Sequence, residues 1–156
     1  MRRKDRERDR GFALEVIDSC EYGVAAMTDQ ENGMPYCIPL SMVRDGEVLY
    51  FHCALEGRKL ELLRRNSRVC VSFVGSNVAS EDDFTTYFRS ACVKGTAFEV
   101  LDEQEKIHAL RALSQRLTPG AMPGFEEEIS RYLGVTGVWG IRMEEVTGKE
   151  KKRPGT

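Results

Sequence analysis

A chain of 156 residues, 41% of them hydrophobic and 31% charged, supplies one compact core, which at this size removes roughly two thirds of the unfolded chain's surface from water. No apolar run approaches the ~20 residues that span a bilayer, and no apolar segment follows the basic start Met1-Arg2-Arg3-Lys4-Asp5-Arg6-Glu7-Arg8-Asp9-Arg10 as it would in a secretory signal. A net charge of −2 argues against nucleic-acid binding by bulk electrostatics, and Cys20, Cys37, Cys53, Cys70 and Cys92 form no C-x-x-C pair, so neither a disulfide framework nor a zinc site is indicated.

The expectation is one cytoplasmic domain over residues 1–156, with residues 1–10 and 148–156 as solvated, flexible tails. Phe12, Val16 and Ile17 recur at helical spacing, with Leu14 widening the stripe, which predicts a short amphipathic helix over 11–20. Alternation then predicts a strand from Tyr22 to Met27. The polar turn Asp29-Gln30-Glu31-Asn32-Gly33 leads into a second strand, Pro35 to Val43. Asp45-Gly46 favours a tight hairpin into a third strand, Val48 to Cys53. Leu60 and Leu63 face inward on a helix over 56–65. Strand-like alternation resumes over 68–74 and is broken by Gly75-Ser76-Asn77.

Phe84 to Leu101 reads as one long strand, or two joined by a bulge near Gly95. Asp102 suits the N-cap of a helix running to Leu117, with Glu103 and Glu105 in its first turn and Ile107, Leu110, Leu113 and Leu117 on its inner stripe. Residues 118–124 read as a loop, Phe125 to Tyr132 as a short helix, and Val135 to Met143 as a last strand containing Trp139. Successive hairpins interrupted by a few helices predict a mainly β fold, an antiparallel sheet curled into a barrel with helices outside. Strand and helix do not alternate as in a Rossmann sheet, and Gly134-Val135-Thr136-Gly137 supplies no G-x-G-x-x-G turn.

Chemistry concentrates in Tyr50-Phe51-His52-Cys53-Ala54-Leu55-Glu56-Gly57-Arg58-Lys59, which puts two cations in the first turn of a helix. A helix N-terminus already carries partial positive charge and unpaired N–H groups, so cations there are unfavourable unless an anion lies close. Two readings are open: Arg58 and Lys59 are simply solvated, or they address a phosphate that Gly57 lets the backbone approach. His52 shares a face with Val48 and Tyr50 near the strand end, as a structural or a functional imidazole. Pro39 cannot donate to a ladder, so its segment is an edge or a bulge, whose backbone at Ile38, Leu40 and Ser41 could face a planar ligand. Trp139 is read as a core residue or as a ring-stacking or interface residue. No Ser-His-Asp order, H-E-x-x-H or P-loop is present.

These segments together resemble the nitroimidazole-resistance (Nim) flavoproteins within the pyridoxamine 5'-phosphate oxidase-like superfamily. The matching residues are Met1 to Arg6, Gly23 to Ala26, Pro35 to Leu40, His52 to Lys59, Tyr87-Phe88-Arg89-Ser90, Gly95 and the helix from Asp102 to Leu117. The resemblance implies an antiparallel, Greek-key type split β-barrel. It further implies a homodimer with flavin mononucleotide (FMN) at the subunit interface. In that arrangement Arg58 and Lys59, with Gly57, hold the phosphate, and the ring system lies along Cys37, Ile38, Pro39, Leu40, Ser41 and Met42. His52 and Cys53 sit beside the ribityl chain or phosphate, His52 takes a catalytic role, and Trp139 is a further candidate contact.

The implied activity is reduction of a small acceptor such as a nitroimidazole, with no nucleic acid, membrane or metal involved. A non-catalytic flavin module, and a haem- or deazaflavin-binding relative on the same barrel, are the alternatives. Two departures separate the chain from vitamin B6 oxidation: Gly57 stands where those oxidases have serine, and Gly140-Ile141-Arg142-Met143 matches their substrate-phosphate arginine motif poorly.

Overall fold

A computed structural model describes residues 2–153 and 155; Met1, Pro154 and Thr156 lie outside the described residues. In chain order the strands are β1 (Glu7–Arg8), β2 (Tyr22–Thr28), β3 (Pro35–Ser41), β4 (Val43–Asp45), β5 (Val48–Cys53), β6 (Arg68–Ala79), β7 (Thr86–Glu99) and β8 (Gly137–Lys151). The helices are α1 (Arg10–Ser19), α2 (Arg58–Arg65), α3 (Glu103–Leu117) and α4 (Phe125–Tyr132). The strands form one sheet in the order β3-β2-β6-β7-β8-β5-β4, with β1 added to β8, and every pairing is antiparallel.

Alternation along the strands explains why the sheet curls. One face carries Leu49, Phe51, Val71, Phe73, Val93, Trp139 and Ile141, which with Leu60, Leu62 and Leu63 of α2 and Ala13, Val16 and Ile17 of α1 make the main core. Closing the sheet around these side chains removes them from water, at roughly 25 cal/mol per Å² of apolar surface. On the opposite face Val43, Tyr50 and Val138 pack under Ala109 and Leu113 of α3, with Val100 completing this second, smaller cluster. Asp102 caps α3 as expected, accepting the Glu105 N–H at 2.8 Å. The Tyr50 hydroxyl donates to Glu105 at 3.0 Å and ties α3 to β5; burial and that carboxylate push the phenol up to about 12.

Four segments differ from the sequence expectation. The strand expected over Pro35 to Val43 is divided at buried Met42, with β3 pairing to β2 and β4 to β5. Gly75-Ser76-Asn77 does not end a strand: the register slips between Val74 and Ser76 and β6 runs on to Ala79, because β7 is long enough to pair with it. The segment after Pro119 is 3-10 helical through Gly124. The last strand continues past Met143 to Lys151, and Glu7 and Arg8 pair with Lys149 and Gly148. Charged side chains made both chain ends look like tails, yet they form cross-strand pairs such as Arg8–Glu150 at 2.9 Å. The remainder of those expected tails includes Met1, Pro154 and Thr156, outside the described residues.

Candidate functional site

The division at Met42 creates the site. Val43 is opposite Tyr50 on β5, and continuing that register backwards would set Ser41 against His52. β3 instead pairs with β2 and has no strand on its other edge among the described residues, which leaves a backbone groove along that free edge. Pro39 is consistent with this, because an edge strand tolerates a residue without a backbone donor. On β3 the side chains alternate: Cys37, Pro39 and Ser41 are exposed toward the groove side, while Tyr36, Ile38 and Leu40 pack on the core. The Ile38, Leu40 and Met42 side chains therefore belong to the interior, and only their backbone could meet a ligand.

At the Pro35 end of β3 the Arg58–Asp29 ion pair brings the start of α2 against the β2–β3 turn. The α2 N-cap, Gly57, has φ 129 and no side-chain capping bond. An L side chain rarely adopts that φ, so glycine is required there by conformation, and open space surrounds the position. The first turn thus presents unpaired N–H groups. Arg58 is already engaged, reaching Asp29 and, at 3.2 Å, Glu61. Asp29 is buried at the end of β2, and its carboxyl is held low by the Glu31 N–H and by Arg58. Lys59 has no ion-pair partner among the described residues. Burial pushes the neighbouring Cys53 thiol up, and the Lys59 ammonium partly opposes that.

Toward the other end, Ser41 and His52 line a cavity of about 480 Å³ beneath α3 and α4. His52 is exposed into it, on the same sheet face as Tyr50, as the alternation predicts. Ser41 and His52, expected from the sequence as flavin contacts, thus both line this cavity, whereas the residues that roof it carried no site role in the sequence. Leu110, Leu113 and Leu117 of α3 and Phe125, Ile129 and Tyr132 of α4 supply that roof; the four- and seven-residue spacing from Phe125 was the available signal. Asp29, the carboxylate that holds Arg58, was also missed, because nothing local links it to a residue 29 positions later.

Trp139 does not join this group. It is 3% exposed and sits across from Phe51 on the core face, whereas its neighbour Val138 pairs with His52. Of the two readings, the ring is placed in the core. Its Nε1 is buried without a hydrogen-bond partner, and the Arg64 guanidinium lies 5.9 Å from the ring centroid. Among the described residues no group of three or more His, Cys, Asp or Glu is placed to hold a metal ion, and no helix is long and apolar enough to cross a membrane.

An uncapped helix start beside a lysine with no ion-pair partner among the described residues, at the end of an exposed strand edge, fits a phosphate-bearing planar group. Comparison with solved structures agrees on the architecture. A candidate 5-nitroimidazole antibiotic resistance protein from Bacteroides thetaiotaomicron is 26% identical, with a TM-score of 0.73 over 92% of this chain and 84% of that one. The flavocytochrome Anf3 of Azotobacter vinelandii shares the fold at 23% identity and TM-score 0.78, over 99% of this chain and 73% of its own. An FAD- and haem-binding protein of Mycobacterium smegmatis shares it at 21% identity and TM-score 0.76, over 93% and 72%. No curated protein sequence matches the chain. The pyridoxamine 5'-phosphate oxidase family matches residues 9–150, and with nearly the whole chain covered, this split β-barrel protein belongs to that family.

Proposed function

We propose that the protein binds FMN in the groove between β3 and the start of α2 and passes electrons from the reduced cofactor to a small organic acceptor such as a nitroaromatic ring. The observation that carries this reading is the uncapped α2 start, with Gly57 and with Lys59 free of any ion pair among the described residues, at one end of a groove whose other end opens at Ser41 and His52. The names of the similar structures, a nitroimidazole-resistance protein, a flavocytochrome and an FAD- and haem-binding protein, support a redox flavoprotein. Bound flavin would supply the redox chemistry. The chain's own residues do the rest: Lys59 and the α2 N–H groups hold the phosphate, Arg58 is oriented by Asp29 beside them, the β3 edge at Cys37, Pro39 and Ser41 forms a wall, and His52 holds a proton at the cavity floor.

The same reading makes the protein a cytoplasmic homodimer with flavin at the subunit interface. Exposed Tyr22, Val24 and Val74, at 57%, 37% and 61%, support it, because a second copy would cover this apolar surface near β3. The haem reading rests on the similar Mycobacterium smegmatis structure named as FAD- and haem-binding and on the exposed His52.

Photoreduced, FMN-loaded protein mixed anaerobically with a nitroimidazole is expected to reoxidise faster than free reduced FMN. His52→Gln is expected to slow that step by about 100-fold while retaining flavin, the range for a lost proton donor. Reoxidation no faster than that of free flavin would leave a flavin-binding module without this activity.

A further inference from the structure

The cavity beneath α3 and α4 has a charge signature that cofactor binding does not use. Its apolar walls come from Leu110, Leu113, Leu117, Phe125, Ile129 and Leu133, and no lysine or arginine is among its lining residues. The one carboxylate is Glu128 of α4, which has no ion-pair partner among the described residues. Nearby cations are committed elsewhere: Arg111 to Glu126 at 2.6 Å, Arg131 to Glu127 at 2.5 Å, and Lys106 to the Leu133 carbonyl at 2.5 Å. Ser41, Ser114, Thr118, Tyr132 and Thr136 contribute neutral polar groups, and His52 contributes one imidazole at the end nearest the groove. At about 480 Å³ the cavity falls in the range of roughly 300–1,000 Å³ usual for small-molecule sites.

We propose that this chamber is the acceptor's pocket, and that it selects planar, apolar molecules that are uncharged or cationic while rejecting phosphorylated and carboxylate-bearing ones. An apolar ring gains by leaving water for these walls. An anion entering the same space loses hydration, meets no lysine or arginine and only the single His52 imidazole, and approaches Glu128. The pocket thus opposes the phosphorylated substrate for which the family is named. The inference rests on the flavin reading only through Ser41 and His52, which lie between the groove and the chamber.

A charge series on one ring size tests it: 4-nitrobenzyl alcohol, 4-nitrobenzyl trimethylammonium and 4-nitrobenzoate, with pyridoxal phosphate alongside. Dissociation constants are measured by calorimetry on flavin-free and FMN-loaded protein, together with kcat/KM for reoxidation, in wild type, Glu128→Gln and Glu128→Lys. The neutral and cationic rings are expected to bind at least about 30-fold more tightly than the anions. Glu128→Lys is expected to strengthen nitrobenzoate and weaken the ammonium compound by about tenfold each, with the alcohol within about twofold, the scale of reversing one charge near the surface. Glu128→Gln should give intermediate shifts, and flavin content should be the same in all three proteins. Anions binding as well as the neutral ring, or a Glu128→Lys change that ignores ligand charge, would overturn the proposal. Failure to hold flavin would overturn the cofactor reading instead, since the ranking on flavin-free protein decides the chamber separately.

Discussion

Replacing Arg58 and Lys59 together by alanine is expected to weaken FMN binding by at least about a hundredfold while leaving riboflavin binding unchanged. Hydrogen bonds to a charged group contribute about 1.5–3 kcal/mol each, and each 1.4 kcal/mol is about tenfold in affinity. The two side chains should not share the loss equally. Arg58 is already neutralised by Asp29 and Glu61, whereas Lys59 has no such partner among the described residues, so Lys59→Ala alone should account for the larger part. Riboflavin, which lacks the phosphate, is the control for folding. Equal losses for FMN and riboflavin would mean that the substitutions damage the groove and do not report on a phosphate anchor.

Gly95→Ala should destabilise the fold by about 3 kcal/mol or more, at the upper end of single-substitution effects. Gly95 sits where the register between β7 and β8 shifts. A β-carbon there would stand 2.2 Å from the Arg142 carbonyl oxygen and 3.1 Å from the Ile141 Cγ2. The nearest atom is backbone in a paired strand, so relief requires breaking part of the ladder that carries β8 and, beyond it, β5 with His52. Gly120→Ala is the matched control, since nothing lies within 4 Å of its added carbon, and it should stay within about 0.5 kcal/mol. Urea unfolding followed by circular dichroism compares the two. Similar midpoints for both variants would show that the strands separate here at little cost.

Features that depend on neighbours in the chain are legible in the sequence. The bulge near Gly95 and the Asp45-Gly46 turn can be read locally, since each depends on residues adjacent in the chain. So can the α3 cap at Asp102 and the sheet face shared by Tyr50 and His52. The pairing of Glu7 and Arg8 with Lys149 and Gly148 is hidden because alternating charges look solvated until a partner strand supplies the opposite charge. The division at Met42 was invisible for a related reason: an apolar residue inside an extended run does not reveal that its two flanks pair with different strands. That division determines where the groove opens. Arg58's engagement by Asp29 and the roof that α4 lends to the His52 cavity are likewise consequences of closure. Trp139 carried two readings in the sequence, and the register that pairs Phe51 with Trp139 and His52 with Val138 assigns it to the core.

The central claim is that the groove holds FMN, and the absorption spectrum of the purified protein tests it most directly. After addition of FMN and removal of free cofactor by desalting, the protein should retain flavin absorbance near ~450 nm at about one equivalent per chain. A protein that retains none, or that instead holds added haem with its Soret band near ~400 nm, would contradict it.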